Sequence, residues 1–291
     1  MSLPVTYLLV ILTAIMWGAN FNLAKPVLAE LHPFVAGADR YLIAAAIMLA
    51  LTHLRGERVP LRHARTYLTL GIVGVFGFNL FFFLGMASTS PVNGALIMAL
   101  NPMLTSVIAY AMLGEKPAAR QMLAFPVGIV GVAIVVLGSG AHVHAAIGDL
   151  YIMIANISWA FYNVLVRQRM PKDTSGVAST AGIMVVGSLG LTLAALIAGE
   201  RFILPSFHAG SALIAMSVGG GVLAYLFWNI GISKLGAGRA AIFLNLVPVT
   251  SMVISALSGV QVSAVQLFGG ALVIGAVTFS ALPPRRKTLA A

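Results

Sequence analysis

The chain contains no cysteine. That excludes a disulfide framework and a thiolate metal site. Charge is nearly as scarce: 8% of the 291 residues are Asp, Glu, Lys or Arg, where a soluble domain carries about 25%. A chain that is 60% hydrophobic has too few polar side chains to wet the surface of a soluble fold. The acidic residues number seven: Glu30, Asp39, Glu57, Glu115, Asp149, Asp173 and Glu200. Only Asp39 falls clearly inside an apolar segment, beside Arg40, and the two read as an ion-paired or snorkelling contact. Each His (His32, His53, His63, His142, His144, His208) falls in a loop or at a segment end. This scarcity of midplane titratable groups argues against proton relay through a buried carboxylate. It also leaves little for a metalloenzyme or membrane protease, since no His-Glu-x-x-His, clustered His/Asp or Gly-x-Ser-x-Gly is present. No enzyme activity, cofactor or metal is expected.

What the chain has instead is apolar runs of the length that crosses a bilayer, about 20 helical residues. The spacing predicts ten spans, at residues 4–24, 34–54, 66–87, 92–113, 120–138, 148–167, 177–198, 210–232, 237–258 and 264–282. The alternating pattern of a β-barrel is absent. In lipid the backbone must satisfy its own hydrogen bonds, so the spans are helices. The first run lacks a basic leader and is too long for a cleaved signal, so it is read as a retained span. Of 17 Lys and Arg, fourteen fall in every second loop: Arg55, Arg58, Arg62 and Arg65; Lys116 and Arg120; Arg167, Arg169 and Lys172; Lys234 and Arg239; Arg285, Arg286 and Lys287. By the positive-inside rule those loops, and both termini, lie on the cytoplasmic side of an inner (plasma) membrane. The net charge of +10 therefore points to anionic lipid headgroups. With no basic domain or aromatic-studded groove, nucleic acid is not an expected partner.

The two halves echo each other. Ile15-Met16-Trp17-Gly18-Ala19-Asn20-Phe21 matches Ile157-Ser158-Trp159-Ala160-Phe161-Tyr162-Asn163. Asn93 to Pro102 matches Arg239 to Pro248 in the same order. Five spans per half is odd, so the second half enters from the opposite face. The expected fold is an all-α integral membrane protein of ten helices, a 5+5 inverted-topology repeat around a central cavity. The repeats are residues 1–140 and 141–291. Secondary transporters use this architecture, with a midplane site between repeats.

Polar and aromatic residues within the apolar spans mark the candidate substrate site. Trp17 and Asn20 share a face of span one; Asn156, Trp159 and Asn163 share one of span six, with Tyr162 beside them. Asn79 in span three corresponds to Tyr225 in span eight, and Trp228 follows one turn on. Span four contributes Met98 and Asn101, on a face with Gly94 and Thr105; span nine contributes Leu244, Asn245 and Ser251. A carboxamide in hydrocarbon needs a partner, so these faces point to the bundle interior or a cavity. Interhelical hydrogen bonding is the plainer account of any one of them. Pro102 and Pro248, mid-span and repeat-related, are candidate hinges or static bends. The glycines allow close helix approach.

These residues carry a resemblance. Trp17-Gly18-Ala19-Asn20-Phe21, Asn101-Pro102, Leu113-Gly114-Glu115-Lys116 and Gly128-Ile129-Val130-Gly131, with the Trp159 start of the second repeat, resemble the EamA-type group of the drug/metabolite transporter superfamily. Ser258-Gly259-Val260-Gln261 departs from it, replacing a Gly-Glu pair. Within that group the chain resembles YddG-type exporters of aromatic and other amino acids. The resemblance implies export from the cytoplasm through a central cavity. The residues themselves suggest a neutral, amide-bearing, aromatic site, suited to a zwitterion with an apolar side chain. The expected function is thus a small-solute exporter working by alternating access, uncoupled or weakly coupled, with aromatic and other neutral amino acids as substrates. A multidrug or cationic-metabolite exporter driven by proton exchange is the alternative, and an integral-membrane enzyme or scaffold the third reading. Monomer and homodimer both remain open.

Overall fold

The computed structural model of the chain describes residues 2–117, 119–138, 143–235 and 243–281. Among these, eight helices are long and apolar enough to cross a membrane, and two shorter apolar helices follow. In chain order they are α1 (Leu3–Leu28), α2 (Pro33–Leu54), α3 (Leu61–Ser88), α4 (Pro91–Leu113), α5 (Ala119–Gly138), α6 (Val143–Arg169), α7 (Gly176–Ile197), α8 (207–235), α9 (Phe243–Leu257) and α10 (Ala264–Ala281). The expected start of span nine, the end of span ten, the boundary at 140/141 and the basic residues Arg239, Arg285, Arg286 and Lys287 lie outside the described residues.

Helix limits follow from local chemistry. Ser90, Ser175 and Ser206 each accept the backbone N–H three residues on, at the starts of α4, α7 and α8. Pro91 occupies a first-turn position, where a missing N–H costs little. α4 ends at Gly114, whose φ of 70° favours glycine. Large apolar side chains such as Leu68, Leu123, Val130, Leu193, Leu267 and Phe268 are exposed on the outside of the bundle. Lipid, not water, is the solvent that suits them.

The packing pairs α2 with α7 and α5 with α10. It sets α3 on α6 and α1 on α8, then α4 on α6 and α1 on α9. Adding five to each label nearly reproduces the same pairings. Two buried apolar clusters fill the interior, one around Phe82, Met86 and Leu100, the other around Tyr41, Tyr67 and Ile183.

Four helices depart from regular geometry beside the centre. α3 widens to a π-helix over Gly71–Gly77 and α8 does so over Met216–Leu223. Such segments move the backbone hydrogen bonds to the residue five on and are frequent at functional sites. α4 is broken into Pro91–Met98 and Asn101–Leu113. Pro102 causes the break, having no N–H to give and no room for the carbonyl one turn back. In α9 a 3-10 turn, Phe243–Asn245, precedes the α-helical piece that holds Pro248.

Gly74 sits in the α3 π segment against the Tyr162 ring, where a Cβ would collide with ring carbons. A rigid ring cannot swing aside as a flexible tail can. Gly74→Ala is therefore expected to lower stability by about 1–3 kcal/mol, overpacking outweighing the ~1 kcal/mol gain in helix propensity. At Gly275 in α10 a Cβ meets nothing within 4 Å. Gly275→Ala should leave the melting temperature in detergent unchanged or raised. Thermal unfolding of the two variants side by side checks both.

Candidate functional site

Among the described residues, the bundle holds a central space lined from seven helices. α1 contributes Trp17, Asn20 and Phe21; α2, Arg40 and Tyr41; α3, Phe78 and Phe82; α4, Met98, Ala99, Asn101 and Pro102. Trp159 comes from α6, Gly220 and Tyr225 from α8, and Leu244 and Val247 from α9. The cavity volume is ≈ 110 Å³, below the ~300–1,000 Å³ of small-molecule sites, so a cargo must widen it. Of the residues singled out by sequence, Trp17, Asn20, Met98, Asn101, Trp159, Tyr225, Leu244 and Pro102 line it.

Its wall is aromatic. Tyr225 meets Trp17 and Trp159 edge-on, with ring centroids 6.0 Å away in both cases. Tyr162 stacks on Trp159 at 4.8 Å, and Trp228 backs Trp17 at 5.5 Å. The last two support the rings that line the space and do not line it themselves. The Trp17 Nε1–H donates to the Gly220 carbonyl at 3.0 Å, inside the α8 π segment. On the other side the Ser158 hydroxyl donates to the Val73 carbonyl at 2.7 Å, inside the α3 π segment. The widened helices thus offer acceptors that anchor both aromatic helices.

The amides mostly serve one another. Asn156, fully buried, donates to the Ile97 carbonyl at 2.7 Å, beside the α4 break. Asn101 donates to the Asn156 side chain at 2.8 Å and accepts from Asn163 at 2.9 Å and from Thr105 at 3.3 Å. Of these three asparagines only Asn101 reaches the cavity; Asn156 and Asn163 stand behind it. Asn79 donates to the Val75 carbonyl and accepts from Arg40. Asn245 donates to Thr278, between α9 and α10. Ser251 lies away from the cavity, donating to the Pro91 carbonyl at 3.0 Å.

The structure corrects the sequence reading at Arg40. No ion pair joins it to Asp39 among the described residues. Neighbouring residues on a helix point about 100° apart: Asp39 faces a separate groove with Phe202, Leu204 and Phe207, while Arg40 faces the cavity. Arg40 is 3% exposed and lies against the Tyr41 and Phe82 rings. The cavity is therefore cationic, not neutral as expected. A lone Arg in an apolar span was the available signal.

A second cluster went unread as well. Asp149, assigned to a span start, is 3% exposed and accepts from the Thr89 hydroxyl and, at 3.4 Å, the Asn93 amide. Gln266 donates to Asn93 at 2.9 Å, and Lys25 to the Met86 and Thr89 carbonyls at 2.7 and 2.5 Å. This network ties α1, α3, α4, α6 and α10 at the end away from the basic loops. The basic end is held by more exposed contacts: Arg62 with Asp173, Arg167 with Glu115, and Arg55 with Glu57. The Ser175 hydroxyl, then Arg55, hold the Glu57 carboxyl below its ordinary range, and Arg62 does the same for Asp173.

The sequence matches the EamA-like transporter family twice, over residues 4–137 and again over 146–282. The chain belongs to this family. It is 38% identical to the uncharacterized transporter YyaM of Bacillus subtilis over 94% of this chain and 93% of that one. It is 24% identical to the aromatic amino acid exporter YddG of Ancylobacter novellus, covering 94% and 96% of the two. A crystal structure at 22% identity superposes with a TM-score of 0.70 over 98% of this chain and 100% of the other, which supports the fold. The protein is a multi-pass membrane transporter of the EamA type.

Burial separates supporting amides from lining groups. Asn156→Ala strips the Ile97 carbonyl and Asn101 amide of a partner. It should cost about 1–2 kcal/mol, the range for interhelical hydrogen bonds in bilayers, with little change in substrate affinity. Trp159→Ala should do the reverse, weakening binding ~10-fold or more if its ring packs on substrate. Melting curves and labelled-substrate binding on each variant tell the two roles apart.

Proposed function

We propose that this transporter exports small organic solutes from the cytoplasm by alternating access, with aromatic and other neutral amino acids as its substrates. The observation that carries this reading is the cavity itself. It sits mid-bundle, its wall is built from Trp17, Trp159 and Tyr225, and polar groups from Asn20, Asn101 and Arg40 reach it. Aromatic rings suit an apolar side chain, and the polar groups suit a zwitterionic head. The YddG relative, an aromatic amino acid exporter, agrees with that chemistry.

The proposed architecture is two five-helix repeats, 1–140 and 141–291, inserted in opposite senses. Support comes from the doubled family match, the pairings that recur five helices on, and the π segments in α3 and α8. Pro102, at the α4 break, and Pro248, after the 3-10 turn of α9, are the proposed hinges. The basic loops support a plasma-membrane protein with both termini in the cytoplasm. Transport is uncoupled or weakly coupled, because the charged group at the cavity is an arginine and not a carboxylate. That same charge counts against a cationic cargo exchanged for protons.

Purified protein in liposomes should take up labelled tryptophan, phenylalanine, methionine or threonine saturably. Uptake should be blocked by the unlabelled amino acid and indifferent to an imposed pH gradient. Uptake that requires the gradient would overturn the uncoupled mechanism. Folded protein that takes up none of the four would overturn the substrate class.

A further inference from the structure

Resting on the transport reading above, we propose that Arg40 binds the carboxylate of the cargo and that Asn20 accepts from its ammonium, so that a free carboxylate is a requirement for recognition. Arg40 lines the cavity, is 3% exposed, and has a buried Nε–H with no partner. The one side-chain hydrogen bond seen for its guanidinium runs from Nη1 to the Asn79 Oδ1 at 3.2 Å, a neutral acceptor. Guanidinium stays ionised in proteins and carries five donors in a planar fork that fits a carboxylate. A buried cation facing only neutral groups is poorly compensated. An anionic group on the cargo would complete it.

Asn20 supplies the complementary half. It is 5% exposed, lines the same cavity, and its buried Oδ1 accepts from nothing. Its amide lies against Gly220, where a Cβ would overlap it, so the side chain is held in place by the α8 backbone. An unpaired donor and an unpaired acceptor, each buried on a residue that lines one aromatic-walled cavity, match an α-amino acid head once the cavity widens around it. Neither an amine nor an acid alone satisfies both. The ring of the cargo would then fall against Trp17, Trp159 and Tyr225.

The test compares three indole compounds as competitors of labelled tryptophan binding to the purified wild-type protein. These are tryptophan, indole-3-propionate, which lacks the ammonium, and tryptamine, which lacks the carboxylate. Tryptamine should compete at least ~10-fold more weakly than tryptophan, because it leaves the cation unpaired. Indole-3-propionate should fall between them. Arg40→Met, checked by melting temperature, should lose at least ~10-fold in tryptophan affinity, with Arg40→Lys partly restoring it. Asn20→Ala should weaken tryptophan but leave indole-3-propionate unchanged. Tryptamine competing as well as tryptophan, or folded Arg40→Met binding within about twofold of wild type, overturns the Arg40 assignment. Equal losses of both ligands in Asn20→Ala overturn the role of Asn20. Direct binding and uptake of labelled indole-3-propionate, with no binding of amino acids, would sink the amino-acid reading while leaving Arg40 as the carboxylate site. Failure of the wild type to bind any carboxylate overturns both.

Discussion

Backbone groups in a bilayer have no water to turn to, and the centre of this protein is arranged around that constraint. A regular helix satisfies its own carbonyls. In three of the helices with irregular stretches, a carbonyl accepts from a side-chain donor of a neighbouring helix. Trp17 serves Gly220 in α8, Ser158 serves Val73 in α3, and Asn156 serves Ile97 in α4. The irregular backbone and the polar residues inside apolar spans are therefore one feature.

These bonds also place the aromatic wall. Trp17 is fixed through its indole nitrogen, and Ser158 fixes the helix that carries Trp159. Tyr225 spans the gap between the two indoles. Donors in α1 and α6 reach π segments in α8 and α3, so the same device is used on both sides of the cavity. A π segment and a proline break each store a small local irregularity, of the kind that discontinuous helices use near transporter sites.

Much of this was legible in the sequence, for identifiable reasons. Span lengths follow from bilayer thickness, and the observed helices fall close to the expected ranges. Pro102 announced an irregularity in span four, and a break is found there. Trp17, Asn20, Asn101 and Trp159 stood out because polar and aromatic groups in apolar runs need explaining. What could not be read was direction. Asn156 and Asn163 share a helix with Trp159, but which of them faces the cavity depends on the α4 break they serve. Asp39 and Arg40 looked like a pair because they are adjacent, although adjacency on a helix separates side chains. Asp149 looked like an ordinary span-start residue because its partners, Thr89 and Asn93, lie some sixty positions away. Glycine runs gave no hint of π geometry, which depends on partners supplied by another helix.

The two ends of the bundle are held by contacts of different kinds, and this bears on how the proposed carrier would move. At the basic end the ties are ion pairs between half-exposed side chains, with Arg62 and Asp173 63% and 55% exposed and Arg167 and Glu115 57% and 47%. Such pairs contribute roughly 0–1 kcal/mol each and weaken in salt. At the other end a half-exposed His32–Glu200 contact is joined by a buried chain of Asp149, Thr89, Asn93 and Gln266, with Lys25 bound to two carbonyls beside it. Opening there would leave a carboxylate and several amides without partners until water arrived. Lys25, Thr89, Asn93 and Gln266 line an open groove at that end, so water there offsets part of the penalty as the helices part. On these contacts the basic end is the easier one to part, and the buried end is the barrier that a bound cargo must help to lower. A carrier with Arg40 unpaired in its cavity has a reason to resist that step when empty. Neutralising the cation by a carboxylate would relieve the uncompensated charge that otherwise has to be carried through the closed centre.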